Sequence, residues 1–396
     1  MSAASPPAPL DLERLDHATA GLQAPFAVVD LDLFDANAVD LTRRAGGLPI
    51  RVASKSVRCR SLLDRALGRS GFAGVMAYSV AEAVWLARHG HDDVLLGYPS
   101  VDAAALGEVG GDAELAGAIT LMVDSVEQLQ WLRHAVPGGE SLRLCLDVDA
   151  SLRVGRLHLG VRRSPVRTPA EAVAVARAVA DSGGRFRLVG MMFYDAQIAG
   201  LPDSSLPVRL VKRRSHAELM TRRRAVVEAV QEVCPDRLEI VNGGGTGSLH
   251  LTGRDPVLTE LAAGSGLYGP TLFDAYRAFT PRPAAVFALP VVRRPGRGVV
   301  TAFGGGYVAS GPPGWSRVPA LVPGQGLTLK KDEGTGEVQT PLLGRAADRL
   351  RLGDRVWFRH AKAGELLERF TQVHLVQGDR VVETVPSYRG EGRCFG

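Results

Sequence analysis

Pro49-Ile50-Arg51-Val52-Ala53-Ser54-Lys55-Ser56 is a short apolar run that ends on a lysine between two serines. Its length and β-branched content predict one buried strand with Lys55 at the C-terminal tip. An unpartnered buried ammonium is costly, so a lysine there reaches water, meets a counter-charge or gives up its proton. The last route makes an amine nucleophile suited to a Schiff base. The chain has five lysines against forty-two arginines, so basic positions default to arginine and Lys55 stands out. The plainer alternative is a strand-end lysine that snorkels to solvent.

Around this stretch the chain has a rhythm. Pro25–Asp30 reads as a first strand and Leu33–Arg44 as a helix. Further strands are expected at Ile50–Ala53, Gly74–Ala77, Val94–Leu96, Ile119–Val123, Leu142–Val148, Leu188–Phe193, Leu238–Val241 and Leu258–Leu261, with helical patterns between them. Ser79 before Glu82, and Asp124-Ser125 before Glu127-Gln128, are helix N-terminal signals. Strands alternating with helices predict a parallel sheet, and a count of eight favours a closed (β/α)8 TIM-type barrel over an open doubly wound sheet. After Thr280 prolines, glycines and short apolar runs take over, including Val299–Phe303, Gly353–Arg359, Thr371–Val376 and Arg380–Val385. They predict a C-terminal, mostly antiparallel β domain. The expected organisation is a barrel over residues 22–280 and a β domain over 281–396, with residues 1–21 as a candidate addition to the latter.

Composition narrows the class. The chain has 396 residues, 45% of them hydrophobic and 22% charged, enough for two cored domains. A net charge of +5 comes from scattered arginines without interleaved aromatics, which argues against nucleic-acid binding. No run of eighteen apolar residues occurs, and Met1–Pro9 is a proline-rich tail without the look of a signal sequence. The expectation is a cytoplasmic protein with no membrane association. Four cysteines without paired spacing predict reduced thiols.

In such a barrel the chemistry sits at the C-terminal strand ends. Lys55 is the first of these. The sixth strand ends at Phe193-Tyr194-Asp195-Ala196-Gln197, offering a phenol and an amide. The seventh ends at Asn242-Gly243-Gly244-Gly245-Thr246-Gly247-Ser248, whose backbone N–H groups suit an anion, and the eighth at Gly264-Ser265-Gly266-Leu267-Tyr268. The seventh-strand run lacks a nucleotide-binding fingerprint. A strand-end lysine with a phosphate cup at strands seven and eight points to pyridoxal 5′-phosphate, which needs an amine and a phosphate seat. A tight glycine turn is the plainer reading of each loop.

These features resemble the fold-type III, alanine-racemase-type pyridoxal-phosphate enzymes. Pro49–Ser56, Cys145–Gly160, Asn242–Ser248 and Val356–Glu365 are most similar to the D-serine dehydratase and D-threonine aldolase branch, including bacterial amino acid deaminase/aldolase-like members. The resemblance implies a lyase acting on a D-configured β-hydroxy amino acid. Lys55 would hold the cofactor, and Tyr194, Asn242, Gly244, Gly245, Thr246, Gly266 and Tyr268 would line its site. Either Arg153 or His158 would face the ring. The resemblance also implies a homodimer, and His360 as acid/base and metal ligand. Where the branch carries a second ligand two residues on, this chain has Lys362, and a protonated lysine cannot ligate a cation. A divalent metal is therefore not expected. Lys362 would act in its place, with Glu365 and Cys394 as candidate substitute ligands. An amino acid racemase, with Tyr307 as second base, and a non-catalytic cofactor carrier are the alternatives.

Overall fold

A computed structural model describes residues 10–234 and 236–396; the expected tail, Met1–Pro9, lies outside the described residues. The chain divides into two compact units. One holds Leu41–Lys55, Arg65–Ala263 and Phe395–Gly396. The other takes in the chain up to Asp40 together with Ser56–Asp64 and Gly264–Cys394.

The first unit is a closed barrel of eight parallel strands. In chain order they are Ile50–Ala53, Phe72–Ala77, Val94–Leu96, Ile119–Val123, Leu142–Asp147, Phe186–Phe193, Ile240–Gly243 and Glu260–Ala263. Each overlaps one of the eight expected strands. The first and last pair through Leu261 opposite Ile50, which closes the ring. Helices between them start where side chains satisfy free N–H groups. Ser79 Oγ accepts from Glu82 N at 3.2 Å, and Ser125 Oγ from Gln128 N at 3.2 Å. Alternate residues turn inward, and Leu95, Met122, Cys145, Met192 and Ile240 meet in the barrel interior with Met76 beside them.

One interior group is charged. The guanidinium of Arg51, 2% exposed, is gripped from two sides. Nε and Nη2 each donate to Glu260 at 2.7 Å, and Nη1 and Nη2 donate to Asp93 at 2.7 and 3.0 Å. Burial disfavours this cation, but the two carboxylates outweigh burial and hold its pKa above the ordinary value. The arm crosses the second strand at Gly74, where an added Cβ would lie 2.3 Å from Nη1. The Asn242 amide donates to the same Glu260 at 2.7 Å.

The second unit is a nine-stranded sheet. Val299–Phe303, Arg355–Arg359, Gln372–Gln377 and Arg380–Pro386 are the expected antiparallel runs, and Ala285–Gly296 is a long strand at its centre. Phe26–Asp30 departs from the expected boundaries. It was expected inside the barrel domain, yet it pairs antiparallel with Ala285–Ala288 and parallel with Val373–Val376. Five consecutive buried residues suit a central sheet strand as well as a barrel strand, and only distant partners decide between them. Leu15, Phe26, Val28, Val286 and Trp357 share its core, and the Trp357 indole donates to Asp16 Oδ1 at 2.9 Å. Among the described residues no helix is long and apolar enough to cross a membrane.

Removing one partner of a buried ion pair leaves the other charge stranded. Arg51→Met is therefore expected to cost about 3–5 kcal/mol in denaturant unfolding, and an unchanged midpoint would show that Glu260 and Asp93 do not depend on it.

Candidate active site

The pleat that points Arg51 inward also points Ala53 inward, and the strand ends there. Lys55 lies in the 3-10 turn Ser54–Ser56 at the C-terminal end of the first barrel strand, and Ser54 Oγ ties that turn to Met76 O at 2.9 Å. Its Nζ hydrogen-bonds the hydroxyl of Tyr98, which follows the third strand, and lies 5.1 Å from that ring's centroid. The guanidinium of Arg163 lies 5.5 Å from the Tyr98 ring and 5.2 Å from the ring of Tyr194 at the sixth strand's tip. Lys55, Tyr98, Arg163 and Tyr194 thus form one cluster at the end of the barrel where this fold carries its chemistry.

Two carboxylates sit in the same layer. Met122 pairs with Cys145, so the residues two further on, Asp124 and Asp147, face the same interior. Burial pushes the Asp147 carboxyl up to about 7; the charges of Asp124 and Asp149 add to this and Arg163 opposes it. Burial also raises Asp124. The Tyr98 phenol moves the other way. Burial alone would raise it, but Lys55 and Arg163 outweigh burial and leave it below its ordinary value.

The expected ring-facing residues are elsewhere engaged. Arg153 lies on a small hairpin, Leu152–Val154 with Leu157–Leu159, and its guanidinium binds Asp149 Oδ2 at 2.6 Å. His158, on the facing strand, contacts Val161 O at 3.1 Å through Nε2. Neither joins the Lys55 cluster; Arg163, five residues beyond His158, does. Arg153, Arg156, His158, Arg162 and Arg163 line an open cleft of about 450 Å³ together with Asp149. Sequence reasoning passed over Arg163, Tyr98, Asp124 and Asp147. The tip of the third strand, Gly97-Tyr98-Pro99, and the pair Arg162-Arg163 were the available signals.

At the seventh strand's tip, Gly244 adopts φ +84°, which favours glycine, and a Cβ on Gly245 would fall 2.9 Å from Ala199 Cβ and 3.8 Å from Tyr194. The Gly245 N–H donates to Ser248 Oγ, which donates to buried Asp195. Thr246 is buried, and its carbonyl accepts from Arg44 at 2.7 Å. Asn242, expected at the cofactor, instead belongs to the Arg51–Glu260 network below the mouth. The Gln197 amide donates to Ala150 O rather than opening into the mouth.

The remaining expected residues belong to the sheet unit. Gly266 and Tyr268 lie in the short helix Ser265–Tyr268. The Tyr268 hydroxyl, expected as a phosphate donor, is fully buried and donates to Val57 O at 2.8 Å. Edge-on to this ring lies His360, at 6.3 Å and 86°. Nδ1 of His360 meets Ala285 O at 3.2 Å, while Nε2 has no hydrogen-bond partner among the described residues. Burial, helped by the charge of Arg359, drives its pKa down to about 3. His360 is thus neutral at neutral pH, and the two-way acid/base role inferred from an ordinary imidazole pKa becomes that of an acceptor at Nε2. Lys362 Nζ donates to Ser310 O and Oγ at 3.1 and 3.0 Å, and Ser310 N donates to Glu365 Oε1 at 2.8 Å. Cys394 is exposed. No three His, Cys, Asp or Glu side chains gather as a metal-holding group among the described residues.

Comparison with known proteins agrees with this architecture. A D-threonine aldolase from an Arthrobacter species is 25% identical over 271 residues, 66% of each chain. A 3-hydroxy-D-aspartate aldolase from Paracoccus denitrificans is 26% identical over 251 residues, 62% of this chain and 60% of that one. This chain therefore matches just under two thirds of the length of those relatives. Among solved structures, D-threonine aldolase from Filomicrobium marinum superposes with a TM-score of 0.77 at 21% identity, covering 94% of this chain and 96% of that one. The D-threo-3-hydroxyaspartate dehydratase from Delftia sp. HT23 does so with a TM-score of 0.69 at 20% identity, covering 92% and 97%. These two likenesses speak to the fold. The family described as alanine racemase, N-terminal domain, matches residues 29–271, more than half of the sequence, and the chain belongs to that family.

Proposed function

We propose that this protein is a pyridoxal 5′-phosphate-dependent lyase acting on a D-configured β-hydroxy amino acid, by aldol cleavage or by dehydration with deamination. The observation that carries this reading is Lys55, an amine at the C-terminal mouth of a closed barrel, hydrogen-bonded to Tyr98. The activities named for the Arthrobacter and Paracoccus relatives support it. We also propose a homodimer without nucleic-acid or membrane partners. A reducing, cytoplasmic setting suits its four free thiols.

The cofactor requires an amine, a seat for phosphate and a surface for a flat ring, and the donor set of the barrel fits all three. Lys55 is the amine. Gly244 and Gly245, where side chains are disfavoured, let a phosphate approach the backbone, with Thr246 beside them, although the Gly245 N–H is already held by Ser248. Tyr194 and Arg163 offer flat faces between that loop and Lys55. When bound, the cofactor supplies an aldehyde for the amine and an electron-accepting ring. Lys55 would then take and return the proton at the substrate α-carbon. Neutral His360, whose Nε2 is buried but unsatisfied, would accept the hydrogen of a β-hydroxyl brought against it. In a shared-site dimer it would come from the partner subunit.

The racemase alternative needs a second base. Tyr307 is a poor one, because its ring packs 5.1 Å from Phe287 and burial raises its hydroxyl, against the opposing charge of Arg369. Lys362 argues against a required divalent metal, since a cation at the second ligand position would repel the ion. Lys362 would act instead as a fixed positive charge.

Borohydride reduction of the purified protein is expected to fix the cofactor covalently, with peptide mapping locating it on Lys55; a label on Lys362 or Lys212 would overturn the assignment. Turnover is expected to survive chelation, and Lys362→Ala to lower it about 10- to 1000-fold. Loss of activity with chelator and recovery with zinc or manganese would show that the metal is needed. Finally, co-expression of a Lys55→Ala chain with a His360→Ala chain is expected to restore activity in the mixed dimer, whereas no restoration would mean that each chain builds its own site.

A further inference from the structure

Tyr98 has no assigned role in the reading above, yet its hydroxyl is the group in contact with the reacting amine. The two partners are held by separate rigid elements. Lys55 sits in a turn pinned by Ser54, and Tyr98 stands two residues past the third barrel strand. Arg163 lies against the Tyr98 ring, 5.5 Å from its centroid. The half-buried phenol therefore meets Lys55 at its oxygen and Arg163 at its ring, and both cations favour a phenolate.

We propose that Tyr98 is a catalytic residue, the proton partner of Lys55, and that Arg163 is the positioning residue that keeps its oxygen ready to accept. In the step assigned to it, an N–H bond of the Lys55 ammonium breaks, the proton passes to the Tyr98 oxygen, and the electron pair stays on Nζ. The reverse transfer restores the ammonium. Net charge does not change, so the exchange needs no outside acid or base. The pair shares one proton between two sites. The direction of the Tyr98 shift agrees with the geometry. The charged neighbours that set it are Lys55 from the first strand's turn and Arg163 from the segment after the hairpin; Tyr194 at the sixth strand's tip feels Tyr98 in turn, and Asp147, with Asp124 beside it, feels Arg163. Lowering the pH protonates the Tyr98 oxygen and removes the acceptor, so transfer from Lys55 fails on the acid side. Tyr98→Phe removes the acceptor at every pH, leaving the amine to lose its proton to water.

This inference rests on the reading of Lys55 as the reacting amine, and a probe unrelated to the cofactor tests it separately. The full chain, freed of bound carbonyl compounds with hydroxylamine, is treated with trinitrobenzenesulfonate over a pH series, and labelling of each lysine is followed by peptide mass. Near pH 7 Lys55 is expected to react about 10- to 100-fold faster than exposed Lys331. Tyr98→Phe should abolish that advantage near pH 7, whereas in strong base, where hydroxide takes the proton from any amine, its Lys55 should react as fast as that of the parent protein. Arg163→Gln should displace the profile in the same direction by less. An unchanged rate in Tyr98→Phe near pH 7 would overturn the proposal. So would a loss of the same factor at every pH, which is the mark of a merely structural prop. If the Lys55 advantage depends on Tyr98 but pyridoxal phosphate is never captured, the proton partnership stands and the cofactor reading falls.

Discussion

Closing eight parallel strands into a ring forces alternate residues to share one crowded interior, and every group placed there must be apolar or matched. The first strand meets this constraint at both ends. Arg51, low in the barrel, is matched by Glu260 and Asp93. Lys55, four residues on and just past the strand's end, meets Tyr98 where water can reach it. The strand that buries one cation ends in the turn that carries the other to the open end.

The mouth is an electrostatic balance rather than a row of independent side chains. Two cations, Lys55 and Arg163, face two phenols and two buried carboxylates. Burial raises Asp124, Asp147 and Tyr194, whereas Tyr98, which touches both cations, is lowered. Both rings lie against Arg163, and Lys55 at the hydroxyl is what Tyr98 has and Tyr194 lacks. Arg163 reaches both rings and opposes the rise of Asp147, so it links the side of the mouth that carries the amine to the side that carries the glycine loop.

The barrel was legible because buried parallel strands read as short apolar runs between turns, and Lys55 was legible because lysine is rare in an arginine-rich chain. Arg163 was hidden by the hairpin Leu152–Leu159, which separates it from the fifth strand and leaves Arg153 nearer in sequence but bound to Asp149. Tyr98 was hidden because Gly-Tyr-Pro after a three-residue strand reads as a turn. Tyr268 and His360 sit in surroundings other than those the sequence suggests for them. A buried hydroxyl takes the nearest carbonyl, and a buried imidazole loses its charge, and neither fact is written in the local sequence. Phe26–Asp30 shows the same limit at the level of topology, since four apolar residues before an aspartate carry no mark of the sheet they will join.

That strand also bears on how the chain is made. Ala27 pairs with Phe287 on one side and with Val373 on the other, so this strand is made before the barrel strands and finds both neighbours only after them. All eight barrel strands are synthesised in the interval, and their neighbours in the ring are, apart from the closing pair, close in sequence. The barrel can therefore assemble locally while the N-terminal segment waits with both hydrogen-bonding edges bare, a state open to pairing with other nascent chains. A chain that stops short of Gln372 would leave that edge uncovered for good.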